Sequence, residues 1–275
     1  MYPITTLARS ASVTEAARLH WKEYLMEGAE LAALMLSTCI FGTLTYGDES
    51  PFKLFSSVFK SVLMGTAIAM TTFTIIRSPF GRRSGAHLNP SVTLTFFWLG
   101  RVHHWDAAWY IVVHFTGAIA GVFAARRILG LQLSAPSVLY MVTVPGKLGS
   151  AMTFAGEFLL SALLMATVLY SSNHRILTRF TPVLVALLTV VLFVLSPSRS
   201  GFSVNPARTL SSALFAGIWQ GVWIYFSAPC LGMLTAAAIY VKTVGLNRVY
   251  CAKVFHDMRS PCPFRCQFVH VYEET

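Results

Sequence analysis

Apolar residues gather into six long runs, at about residues 26 to 46, 56 to 76, 105 to 127, 152 to 172, 180 to 196 and 222 to 243, with short polar connections between them. Each run is close to the roughly 20 residues that a bilayer-crossing helix needs. Two further apolar stretches, about 89 to 100 and 205 to 217, have helical character but are too short to cross. The pattern predicts an all-α membrane protein with six transmembrane helices and two re-entrant half-helices.

The halves repeat each other. Gly28-Ala29-Glu30-Leu31 in the first span resembles Ala155-Gly156-Glu157-Phe158 in the fourth, each with a carboxylate near the start of an otherwise uncharged run. Ser84-Gly85-Ala86-His87-Leu88-Asn89-Pro90-Ser91 resembles Ser200-Gly201-Phe202-Ser203-Val204-Asn205-Pro206-Ala207. Three spans per half is an odd number, so the second half must lie upside down relative to the first, an inverted repeat. The expected division is an N-terminal segment 1–25, a channel-like domain 26–243 with repeats at about 26–128 and 150–243, and a tail 244–275.

Composition agrees with the spans. Of 275 residues, 55% are hydrophobic and 12% charged, against roughly 25% charged in a soluble domain. That excludes a soluble globule and a disordered chain, and makes the lipid bilayer the expected surroundings. The net charge of +10 comes from basic residues scattered through short connections, with no basic helical stripe for nucleic acid. With both termini cytoplasmic, 14 of the 21 Lys and Arg lie on that side, as the positive-inside rule requires. A multi-pass cell-membrane protein is expected. The polar N-terminus, with Arg9, Glu15, Arg18, Lys22 and Glu23, reads as an amphipathic lead-in and not as a cleavable signal.

Each Asn-Pro pair predicts a helix start, because Asn caps well and Pro suits the first helical position. In an inverted repeat the half-helices enter from opposite faces and their starts meet near the midplane. Each start carries about half a positive charge, so the junction disfavours cations and hydronium. Capping occupies the Asn89 and Asn205 side-chain oxygens, which leaves their amide N–H groups to donate to a passing molecule.

These residues resemble the major intrinsic protein family, the aquaporins and glycerol facilitators. The resemblance rests on Ser84 to Thr93, on Asn205-Pro206-Ala207-Arg208-Thr209, on Glu30 and Glu157, and on Trp223-Ile224-Tyr225-Phe226, and runs from about residue 26 to 243. The first motif departs by reading Asn-Pro-Ser, with the small Ser91 in place of Ala. The family fold implies a constriction at Asn89, Pro90, Asn205 and Pro206, an outer filter including Arg208, and a homotetramer. An Arg at membrane depth is costly unless it lines a polar cavity, and fixed arginines help such pores exclude ions.

By the same resemblance, Phe202 and Phe193 stand at the loop and fifth-span filter positions, although a gap in Ser196-Pro197-Ser198-Arg199 would shift the latter to Val190 or Thr189. Met64 stands at the second-span position. The fifth-span His of orthodox water channels is missing, which makes the filter more apolar. Thr209, Ala213 and Tyr225-Phe226 replace residues typical of glycerol facilitators. Water is therefore the expected main permeant, with small uncharged solutes such as glycerol alongside it. The alternatives are a channel mainly for small neutral solutes and a low-permeability membrane scaffold. Glu30 and Glu157 are expected to accept hydrogen bonds from the re-entrant loops. His87 is expected to line the pore, and His114 to make a structural hydrogen bond. No Ser/His/Asp, Cys/His or P-loop arrangement points to an enzyme.

The resemblance does not cover the tail. Of five cysteines, Cys39 and Cys230 sit in apolar runs and read as small hydrophobes. Cys251, Cys262 and Cys266, with His256 among them and His270 nearby, place four zinc-type ligands within 16 positions. Zinc is one use of this set, although its spacing matches no standard finger. Palmitoylation or free thiols are the others.

Overall fold

The computed structural model describes residues 12–195, 202–257 and 259–272. Among them the α-helices are α1 (Val13–Tyr46), α2 (Ser57–Arg77), α3 (Pro79–Ser84), α4 (Pro90–Trp98), α5 (His104–Leu129), α6 (Leu131–Ser134), α7 (Gly149–Ser172), α8 (Thr181–Leu195), α9 (Pro206–Ala216) and α10 (Val222–Thr243). Among the described residues, six stretches are long and apolar enough to cross a membrane: α1, α2, α5, α7, Leu177–Leu195 and α10. Helices α4 and α9 are the two half-helices that begin at Asn-Pro. Leu159, Leu163, Leu187, Val191, Leu231 and Ile239 are exposed on the outer faces of the spans, as lipid contact requires.

Helix α1 begins well before residue 26. Ser12 caps it by accepting from Glu15 N at 3.2 Å, and it bends at His20, whose φ of −117° is non-helical. His20 Nδ1 lies 2.7 Å from Asp106 Oδ1, and Tyr24 OH donates to the same atom at 2.6 Å. Residues 12–25 thus pack against α5 as part of the bundle; residues 1–11 lie outside the described residues.

The inverted repeat is visible in the packing. Helix α1 packs mainly on α5 and α7 on α10, while α2 meets α8. Both repeat interfaces depend on a glycine. A Cβ at Gly117 would lie 2.2 Å from Gly28 O, and one at Gly232 would lie 2.2 Å from Phe158 O. Such close approach of small residues replaces the hydrophobic driving force that helices lack in lipid.

After α10 the chain folds back. Tyr250 N donates to Asn173 Oδ1 at 2.8 Å, Val254 N to Gly85 O at 3.0 Å and Arg265 N to Arg101 O at 3.0 Å. Val249, Ala252, Cys262, Phe264 and Phe268 join one buried core with Tyr24, Phe96 and Tyr110. The tail is therefore packed into the bundle, on the face that carries segments 77–104 and 171–179. This is the grouping that the charge pattern predicts.

Candidate functional site: the meeting point of two half-helices

Helices α4 and α9 begin at Asn-Pro for the local reasons expected. Asn89 Oδ1 accepts from Ser91 N at 2.9 Å, and Asn205 Oδ1 accepts from Ala207 N at 3.0 Å. The amide ends are not both free. Asn89 Nδ2 donates to Val204 O and Asn205 Nδ2 to Leu88 O, each at 2.7 Å. A side-chain amide has two N–H donors, so each Asn spends one on the opposite loop and keeps one. This cross-bracing locks the two helix starts together and corrects the expectation of unengaged amides.

The loops before each Asn hold strained backbone. Ala86 (φ 53°) and Leu88 (φ 55°) precede Asn89, and Phe202 (φ 48°) and Val204 (φ 48°) precede Asn205. Left-handed non-Gly residues persist only where the surroundings hold them. Here carboxylates do so. Glu157 accepts from Ser203 N at 3.0 Å and Val204 N at 2.6 Å, and Glu27 accepts from Leu88 N at 2.5 Å.

A profile described as Major intrinsic protein matches residues 16–240. The chain belongs to the major intrinsic protein family. It is 34% identical over 204 residues to Aquaporin NIP3-1 of Zea mays, covering 73% of this chain and 62% of that protein. It is 28% identical over 200 residues to Glycerol uptake facilitator protein-like 6 of Lactiplantibacillus plantarum, covering 66% of this chain and 92% of that protein. Against Aquaporin NIP3-1 of Oryza sativa subsp. japonica it is 34% identical over 61% of this chain and 52% of that protein; the chain thus spans less than two thirds of the length of both NIP3-1 relatives. The X-ray structure of the aquaglyceroporin from Plasmodium falciparum superposes with a TM-score of 0.68 at 18% identity, over 83% of this chain and 98% of that one, a likeness of fold.

Within this family fold, the loop-holding carboxylate of the first half is Glu27 and not Glu30. Glu30 is buried and instead accepts from Ser84 Oγ at 3.1 Å. Pairing Glu27 with Glu157 also pairs Gly28 with Phe158, and these two supply the carbonyls that face Gly117 and Gly232. The repeat register is therefore one turn upstream of the Glu30 alignment. His114 Nε2 lies 3.1 Å from Glu27 Oε1, inside a fully buried pair.

A cavity of about 130 Å³ adjoins the junction, with Asn89, Asn205 and Arg208 in its wall. Helix α2 contributes Ile68, Thr72 and Ile76. Met64 is fully buried but lies outside this lining, whereas Ile68, one turn later, lies within it. Thr189 and Phe193 line the cavity from α8, and the Phe193 and Phe202 ring centroids are 4.5 Å apart. Ser196 to Arg199, which hold the candidate gap, lie outside the described residues. Arg208 lines the cavity, and its Nη1 is buried with no hydrogen-bond partner among the described residues.

His87 stands in the cavity wall with both ring nitrogens engaged. Nδ1 lies 2.9 Å from Thr93 Oγ1, and Nε2 lies 2.9 Å from Ala252 O in the tail. Its ring stacks on Phe96 on one side and on Phe264 of the tail on the other, at 5.3 and 5.1 Å. In the tail itself the structure brings Cys251, His256, Cys262 and Cys266 together, one donor atom from each lying within 4.8 Å of the others. Glu27, Ile68 and the role of the tail behind His87 escaped the sequence reading. A carboxylate one turn upstream of Glu30 was the one available signal.

Proposed function

We propose that the protein is a passive channel for water and small uncharged solutes that excludes ions and protons. The observation that carries this is the junction: two half-helix starts, bound to each other through Asn89 and Asn205, beside a cavity whose wall includes Arg208. The two helix ends and the guanidinium place positive potential where a cation would pass. Each Asn retains one N–H, so a permeant that accepts hydrogen bonds finds donors while a proton finds a barrier. Water is the main permeant in this reading. The apolar wall of Ile68, Phe193 and Phe202 favours glycerol-sized solutes as a second class, and the relative named as a glycerol uptake facilitator supports the same addition. The family supports a channel and not an enzyme. We also propose a homotetramer with both termini cytoplasmic in a cell membrane, the orientation resting on the basic residues of the face that carries the tail.

Stopped-flow light scattering on reconstituted vesicles tests the reading. Osmotic shrinkage should be several-fold faster than in empty vesicles, with glycerol entry slower than water. Permeability equal to that of empty vesicles would overturn it in favour of the scaffold alternative.

A further inference from the structure

The four tail ligands lie far apart by the standards of known fingers, as Cys-x4-His-x5-Cys-x3-Cys, yet the fold converges them. Their donor atoms fall within 4.8 Å of one another. In a tetrahedral site with Zn–S of about 2.3 Å and Zn–N of about 2.0 Å, the donor-to-donor edges are roughly 3.5–3.8 Å. The recorded edges of 3.5 Å between Cys251 Sγ and Cys262 Sγ and 3.1 Å between Cys266 Sγ and His256 Nε2 fit around such a centre after a small expansion. Cys251, Cys262 and His256 are buried and Cys266 is half-buried.

Three features point to a metal and not to packed thiols. Three sulfurs and an imidazole facing one point, with little access to water, have poor hydrogen bonds to offer each other, since a thiol is a weak donor and a weak acceptor. His256 shows this directly: its Nε2, the nitrogen that faces the cluster, meets the Cys266 thiol at 3.1 Å. The surroundings also suit an anionic cluster. The Lys253 backbone N–H points at Cys251 Sγ at 3.5 Å, and the Lys253 side chain is buried beside the site with its ammonium on Arg82 O and Pro261 O. A Zn²⁺ held by three thiolates and a neutral imidazole carries one net negative charge, which the Lys253 ammonium offsets. Finally, soft thiolates with imidazole in a closed four-ligand set select zinc among common divalent ions.

We propose that Cys251, His256, Cys262 and Cys266 bind one structural Zn²⁺, and that this ion staples the tail against the first re-entrant loop. On binding, the three thiols lose their protons to solvent and no electron moves. The staple spans the residues that touch the loop. Ala252 holds His87, Val254 N–H holds Gly85 O and its side chain enters the cavity wall, and Phe264 stacks on His87. The metal thus fixes one wall of the cavity from outside the family fold.

The test is elemental analysis of the full-length protein, purified in detergent with an affinity tag free of histidine. One zinc per chain is expected in the wild type, and less than a tenth of that in Cys262→Ser and in Cys266→Ser. Replacing zinc with Co²⁺ in the wild type should give the intense visible bands of a tetrahedral thiolate site, which does not require any variant to fold. Chelation should raise amide hydrogen exchange several-fold in 249–271, with a smaller rise at 85–88. Wild-type protein with no stoichiometric metal and no cobalt spectrum, or with a Cys251–Cys262 disulfide by mass, would overturn the proposal. Bound zinc whose removal leaves exchange in 249–271 unchanged would overturn the staple. None of these measurements depends on permeation, so their failure is separate from failure of the channel reading.

Discussion

The two re-entrant loops are built to one plan and braced differently. Each holds left-handed residues before its Asn, each is tied to a buried glutamate, and each places a polar side chain two residues before Asn against a threonine four residues after it. In the first loop this pair is His87 and Thr93; in the second it is Ser203 and Thr209. The outer brace differs. Thr209 reaches Thr143, in the segment before α7, at 2.9 Å, whereas His87 reaches Ala252 in the tail. The tail therefore supports the first loop as the chain before α7 supports the second. The sharpest asymmetry is three residues after each Asn, where Val92 in the first half corresponds to Arg208 in the second and both line the cavity. The repeated features build the crossing point. In the proposed channel, the unrepeated ones are expected to set its selectivity.

The largest effect should come from removing the loop acceptors. Glu157→Ala strands two buried amides, at about 1–3 kcal/mol each, so a loss of roughly 2–6 kcal/mol is expected. Glu27→Ala strands one amide and the His114 contact, for a smaller loss, and Glu30→Ala costs least because Ser84 is a neutral donor. Thermal unfolding in detergent ranks the three; a greater loss for Glu30 than for Glu27 would refute the register drawn here. Next comes the brace. His87→Ser, which copies the second loop, removes a bond to the tail and three ring contacts, and should cost about 1–3 kcal/mol, while Thr209→Val costs about the same through Thr143. An unchanged melting temperature in His87→Ser would show that the tail does not support the loop.

Selectivity should respond to Arg208→Val, which makes the two halves alike. Charged or larger solutes should then enter about tenfold faster, a change of about 1.4 kcal/mol in barrier; unchanged solute ratios in vesicle uptake would remove Arg208 from the filter. The smallest effect separates two neighbours on α2. Ile68→Ala should raise glycerol entry relative to water a few-fold, whereas Met64→Ala should leave that ratio alone. The opposite result would return Met64 to the cavity wall.

Where the structure departs from the sequence pattern, it does so by one helical turn. Glu27 and Glu30, and Met64 and Ile68, are pairs one turn apart, and residues three or four apart share a helix face. Periodicity identifies the face but not the turn. The Asn-Pro starts were legible because capping is local, needing only the Asn oxygen and the next two amides. The shared face of the tail and the basic loops was likewise foreshadowed by where Lys and Arg fall.

By itself the sequence determined the six spans, the inverted repeat, the two half-helix starts and their arginine, since each follows from composition or from contacts within a few residues. Only the tertiary structure decided which glutamate holds which loop, that each Asn amide gives one N–H to the opposite carbonyl, and that four scattered tail ligands converge behind His87. Those are contacts between residues from 46 to 165 positions apart or across irregular backbone, where no local pattern encodes distance.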